Sequence, residues 1–177
     1  NQVPVQPSPV TAYQVPFSTP TKVGDISLSP SAVTTNLSVV SDIFTQDLTG
    51  SGAQNIIIAG RIVQSASNTP WVNSQITIFG WQNGQLVNQT GQWFTGTDNV
   101  IVGTEPSVKF ADFNGDGKTD VYLAPHTDTN VYGPGVVLFN NGNSFTRTNI
   151  DFSTPASIHA HDSAVYDLNR DGYADIL

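Results

Sequence analysis

The chain has 177 residues, room for one domain with an extension. Six Lys plus Arg stand against fourteen Asp plus Glu, a net charge of −8, which leaves no basic surface for phosphates and excludes nucleic acid as a partner. No apolar run approaches the roughly eighteen residues of a membrane helix, so membrane insertion is not expected, and with no cysteine there is no disulfide. Charged residues are only 11%, while Asn, Gln, Ser and Thr abound, which suits a secreted β-rich protein. Met is absent and the chain starts at Asn1, which suits a processed or excised product.

Residues 1–34, with prolines at 4, 7, 9, 16 and 20 in the first 22 residues, read as an extended linker or a segment that wraps the outside of a domain. A first unit follows over 35–104. Its lead-in strand precedes 47, its second strand runs over 55–59, and residues 61–74 are an enlarged connection. Residues 75–81 alternate with period two, as a half-buried strand should. Asn83-Gly84 marks a hairpin turn, and residues 85–94 return as a fourth strand. A second unit over 105–159 repeats the order: a strand into 112, a strand over 121–124, then two strands about Asn141-Gly142. A third begins near 160 and reaches 177. No segment shows helical periodicity, so the expected class is all-β.

Side-chain oxygens recur at alternate positions in Asp-Phe-Asn-Gly-Asp-Gly-Lys-Thr-Asp, residues 112–120. Asp112, Asn114, Asp116 and Asp120 are the proposed ligands of a hard cation. Ca²⁺ takes about six to eight oxygens, and a Gly-rich loop with alternate oxygens can supply them. Lys118 falls at the seventh position, where only its carbonyl is needed. The pattern returns at 167–175 with Asp167, Asn169, Asp171 and Asp175, and with the Tyr173 carbonyl at the seventh position. Arg170 there replaces the first loop glycine. A worn copy at 47–55 keeps the frame but has Ser51 and Asn55 for two carboxylates, so its turn is expected to survive and its metal affinity to be weak or absent. The expected cofactor is therefore Ca²⁺ at two sites.

An EF-hand would place Glu at position twelve, where this chain has Leu123, and the flanks are β-branched and aromatic. The reading is strand–loop–strand. The loops start at 47, 112 and 167, spaced by 65 and 55 residues, the sign of a repeat architecture. Six of the fourteen acids sit in the two intact loops, and two bound Ca²⁺ would bring the formal charge from −8 to −4.

The stretch 112–125 resembles the calcium-loop signature of FG-GAP and VCBS repeats, the blades of integrin-α-type and many secreted bacterial β-propellers. Residues 136–146 resemble the hairpin that follows the loop in VCBS blades, and 161–166 the strand leading into the next loop. The resemblance implies structural Ca²⁺ and loops lying between the first two strands of a blade. It implies about two four-stranded propeller blades plus the start of a third, so that remaining blades or another chain complete the propeller.

Other clusters carry weaker chemistry. His159, His161 and Asp162 invite a transition-metal reading, since residues two apart on a strand share a face. Aligning the units puts Asp162 level with Ser107 and Asp42, where a hydrogen-bonding role is the plainer expectation. Trp71 and Tyr132 sit in connections and are the candidate ligand-binding aromatics, whereas Trp81, Trp93 and Tyr122 lie on or beside strands. There is no Ser-His-Asp arrangement, phosphate loop or cofactor fingerprint. The expected function is a calcium-stabilised, extracellular or cell-surface recognition and adhesion module that binds a protein or glycan without catalysis. The alternatives are the propeller portion of a secreted polysaccharide-active enzyme and a structural subunit of a surface assembly.

Overall fold

The computed structural model describes residues 37–62, 73–102, 107–124, 134–150 and 162–177. The expectations for residues 1–34 and for Trp71, Tyr132, His159 and His161 lie outside them. The described residues are almost entirely antiparallel β. The first unit comprises β1 (Leu37–Gln46), β2 (Asn55–Ile62), β3 (Asn73–Gln82), β4 (Gln85–Asn88), the single turn α1 (Thr90–Trp93) and β5 (Val100–Val102). The second comprises β6 (Ser107–Ala111), β7 (Asp120–Ala124), β8 (Gly135–Asn140) and β9 (Phe145–Ile150). The third comprises the hairpin β10 (Val165–Tyr166) and β11 (Asp175–Ile176). Strands pair in chain order, β1-β2-β3-β4 and β6-β7-β8-β9, with β5 added beside the first half of β3. In every unit the acidic loop joins the first two strands.

Period-two alternation decides which side chains meet. Ile57 stands opposite Ile78 and Ala59 opposite Ile76, all four on one face of the first sheet. That face packs on Val121, Leu123, Val136 and Leu138 of the second sheet, and Leu48, Trp93, Phe94 and Phe145 complete this main core. The other face of the second sheet presents Tyr122, Ala124 and Val137, against which Phe113, Phe139 and Ile176 pack. The second sheet is thus buried on both faces, and β7 is buried along its whole length.

The fourth strand expected over 85–94 is a correction: β4 ends at Asn88 and a helical turn follows. Adjacent residues of a strand point to opposite faces. Trp93 and Phe94 instead both reach Phe145, with ring centroids 5.1 and 5.4 Å away. Coiling the chain once, with Trp93 N–H donating to the Gln89 carbonyl and Phe94 N–H to that of Thr90, makes this possible. The Asn83-Gly84 turn is as expected, with both residues at positive φ (52° and 75°), the mirror-image turn suited to a two-residue hairpin. The second hairpin has a four-residue loop over 141–144, closed by Asn141 N–H donating to the Ser144 carbonyl. The added strand β5 was not expected. Arg147 of β9 holds the chain before it by donating to the Asp98 and Val100 carbonyls. Among the described residues no helix is long and apolar enough to cross a membrane.

Candidate metal centre

The three loops fold alike, although one has a single carboxylate where the others have three. In each, the first Asp accepts at least two backbone N–H groups from within its own loop. The fifth residue donates to Oδ1 of Asp47, Asp112 or Asp167 at 3.2, 3.2 and 3.1 Å. The sixth, a glycine, donates to Oδ2 of the same Asp at 2.6, 2.8 and 3.0 Å. The seventh N–H donates to the side-chain oxygen of Ser51, Asp116 or Asp171. The second N–H donates to the ninth side chain, Asn55, Asp120 or Asp175. The fold of the loop therefore needs a side-chain acceptor at positions one, five and nine, and at the last two Ser51 and Asn55 meet that need as Asp does.

The turn also requires two residues in the left-handed region. The sixth position is glycine in all three loops. The fourth is Gly50, Gly115 and Arg170, at φ 71°, 75° and 61°. Arg170 adopts the glycine conformation because the hydrogen bonds on either side leave the chain no other path.

The loops differ in what faces their free oxygens. Lys118, expected to contribute only its carbonyl, folds its ammonium onto Asp116 Oδ2 at 2.8 Å. That hydrogen bond, with the Lys118 N–H, holds the Asp116 carboxyl below the usual carboxylate range. In the third loop the Asn169 amide takes the same role on Asp171, at 2.8 Å. Asp120 is fully buried, and burial pushes its carboxyl up. The Asn140 and Phe113 N–H groups oppose the rise, while the Asp116 and Asp112 charges add to it. In the first loop Asn55 donates to Gln89 Oε1, and a Cβ on Gly80 would collide with that Gln89 oxygen. The worn loop has thus acquired an amide partner in place of a second charge.

Among the described residues no three carboxylate or imidazole side chains are gathered into one cluster. The carboxylates of the intact loops are turned onto backbone N–H groups and the Lys118 ammonium. Even so, every side-chain donor at positions one, three, five and nine offers oxygen, the chemistry of a hard cation. The tethered Lys118 ammonium is a stand-in positive charge at one of those oxygens. Asp112, Asn114, Asp116, Asp120 and the Lys118 carbonyl would hold one ion. Asp167, Asn169, Asp171, Asp175 and the Tyr173 carbonyl would hold the other.

Adjacent loops touch. The Asn140 amide, 0% exposed, donates to the carbonyls of Leu48 in the first loop and Thr119 in the second. The Ala174 N–H of the third loop donates to the Asp112 carbonyl of the second. Residues 112–177 match the family model of the FG-GAP-like repeat. The FG-GAP-like segment starts on the first ligand position of the second loop and takes in the whole third loop. The worn loop lies before it. No curated protein and no solved structure gives a match.

Outside the FG-GAP-like loops, Asp162 has the hydrogen-bonding role that its alignment suggested. Its Oδ1 accepts from Ser107 Oγ at 2.7 Å and pairs with Lys109 Nζ at 2.7 Å. Lys109, then Ser107 and the Ser163 N–H, hold its carboxyl far below the usual range. Trp93 and Tyr122 are core residues, and burial raises the Tyr122 phenol. Trp81, beside the 83–84 turn, is 41% exposed. Sequence reasoning missed Asn140 and the Lys118 pairing. Asn140 had a faint signal as the last residue before a hairpin loop, and Lys118 had none.

Proposed function

We propose that the chain is part of a calcium-stabilised β-propeller of the extracellular adhesion type, a non-catalytic module that recognises a protein or glycan. The observation that carries this reading is the repeated loop hydrogen-bond pattern, which presents oxygens at the same positions in an FG-GAP-like segment. Ca²⁺ in the 112–120 and 167–175 loops would neutralise carboxylates crowded beside buried Asp120 and pin the first two strands of each unit. Its binding energy would then be folding energy. The worn loop holds its shape through Asn55 and Gln89 and needs no ion. The propeller is completed by further blades from the same or another chain.

Exposed Trp81 offers a flat apolar surface beside Gln82, Asn83 and Gln85, the kind of platform on which a sugar ring stacks. Trp71 and Tyr132 remain candidates for the same role. The metal reading is tested by thermal unfolding with and without Ca²⁺. At a concentration one hundred times the dissociation constant, the ion should add about 2.7 kcal/mol per site. Asp116→Ala combined with Asp171→Ala should abolish the rise. An unaltered chain whose melting temperature ignores Ca²⁺ would refute it. Recognition is tested on a glycan array, where Trp81→Ala, Trp71→Ala or Tyr132→Ala should reduce binding.

A further inference from the structure

The second and third loops are joined through one peptide unit. Ala174 N–H donates to the Asp112 carbonyl at 3.1 Å. A trans peptide is planar, with its C=O and N–H pointing in opposite directions. The C=O partner of that N–H is the Tyr173 carbonyl, the seventh-position donor of the 167–175 loop. One rigid plane therefore faces the second loop with its N–H and turns its oxygen the opposite way. The Tyr173 ring closes the same junction. Its Cε1 lies 2.8 Å from where a Cβ on Gly115 would stand, so only glycine leaves the ring this seat. Gly115 is also at φ +75°, so its conformation and the ring contact are fixed together.

No equivalent backbone bond ties the first described loop to the second. There the contacts run through side chains, with Gln46 Nε2 donating to Thr119 Oγ1 at 3.2 Å and the Asn140 amide to Leu48. The worn loop, with a single carboxylate, has no second ion to couple.

We infer that Tyr173 is a positioning residue that couples the 112–120 and 167–175 loops, so that Ca²⁺ in one raises the affinity of the other. The inference rests on the calcium reading above. Drawing the Tyr173 carbonyl toward a cation polarises its amide and strengthens the N–H bond to Asp112, whose side chain is the first ligand of the neighbouring loop. Ordering one loop then lowers the ordering cost of the other, and the coupling is reciprocal.

The test is calorimetric titration of the full chain with Ca²⁺ alone. The unaltered chain should bind two ions with a Hill coefficient above one. Disabling the third loop by Asp167→Asn with Asp171→Asn should weaken the remaining site about fivefold relative to its affinity beside a filled neighbour. Tyr173→Ala should keep two sites but weaken their coupling, because the backbone bond to Asp112 remains while the ring that seats it on Gly115 is gone. Tyr173→Phe should restore the coupling, because the contact on Gly115 is made by ring carbons. Equal affinity of the 112–120 site with and without an intact third loop would overturn the coupling while leaving calcium binding in place. No binding of Ca²⁺ by the unaltered chain would overturn the calcium reading, and the coupling with it.

Discussion

Arg170 occupies a left-handed backbone position that its two counterparts fill with glycine. An L side chain there costs about 1–2 kcal/mol, partly offset in a glycine variant by the entropy that glycine loses on folding. Arg170→Gly should therefore stabilise the chain by about 0.5–1 kcal/mol, read as a higher urea midpoint at unchanged slope. The loop residues were legible in the sequence because spacing alone defines them. Their hydrogen-bonding roles were not. Asp47, Asp112 and Asp167 share one role as acceptors for their own loops, and in the first case the Gly52 N–H leads in holding the carboxyl below its usual range. The worn turn survives with Ser51 and Asn55 in place of two carboxylates, as expected, because it asks only for an acceptor at those positions. Lys118 was expected to be a bystander and is a counter-ion, because a side chain long enough to fold back across two residues has many possible partners.

At the level of strands, β1, β6 and β10 each lead into a loop, and β6 is tied to the entry of β10 by Ser107, Lys109 and Asp162. Phe44 and Phe110 make the corresponding apolar contact between β1 and β6, edge to face at 5.3 Å. The depressed Asp162 carboxyl sets a pH dependence. Its folded value lies far below the ordinary 3.8, so it stabilises the chain above that value. The contribution is lost as pH falls from 3.8 toward the folded-state value. Urea midpoints measured down this range should fall less steeply for Asp162→Asn than for the unaltered chain. An identical slope would remove Asp162 from the balance. Strand order, the 83–84 hairpin and the paired strands of both full units were all readable from alternation and turn residues. The ends of β4 and the addition of β5 were not, since Trp93 and Phe94 coil the chain for the sake of Phe145, a residue about fifty positions away.

Across the whole molecule, one rule builds both interfaces between units. Counting from the first Asp of each loop, a unit contributes its second and eleventh residues, and the next contributes its tenth. Leu48 and Ile57 thus share the main core with Val121, and Phe113 and Tyr122 are in the cluster with Ile176. The same positions in the third unit are Leu168 and Leu177, both exposed. Asn140 locks the first interface from its buried edge, with its amide on Leu48 and Thr119 and its Oδ1 accepting from Gly142 N–H at 2.7 Å. Asn140→Ala strands two carbonyls in the interior and should cost about 2–3 kcal/mol. The measurement is equilibrium unfolding in urea, and a loss under about 0.5 kcal/mol would show that the two units do not depend on this clasp.

The sequence by itself determined the loops, the strand periodicity and the repeat, because each depends on spacing between residues close in the chain. It determined which faces were apolar but not what each would meet. Only the tertiary structure decided that Trp93 goes inward while Trp81 stays out, that Asn140 spans two units, and that the Tyr173 peptide leans on Asp112. Those outcomes depend on contacts between segments tens of residues apart, where burial and pairing of a whole sheet outweigh any local preference.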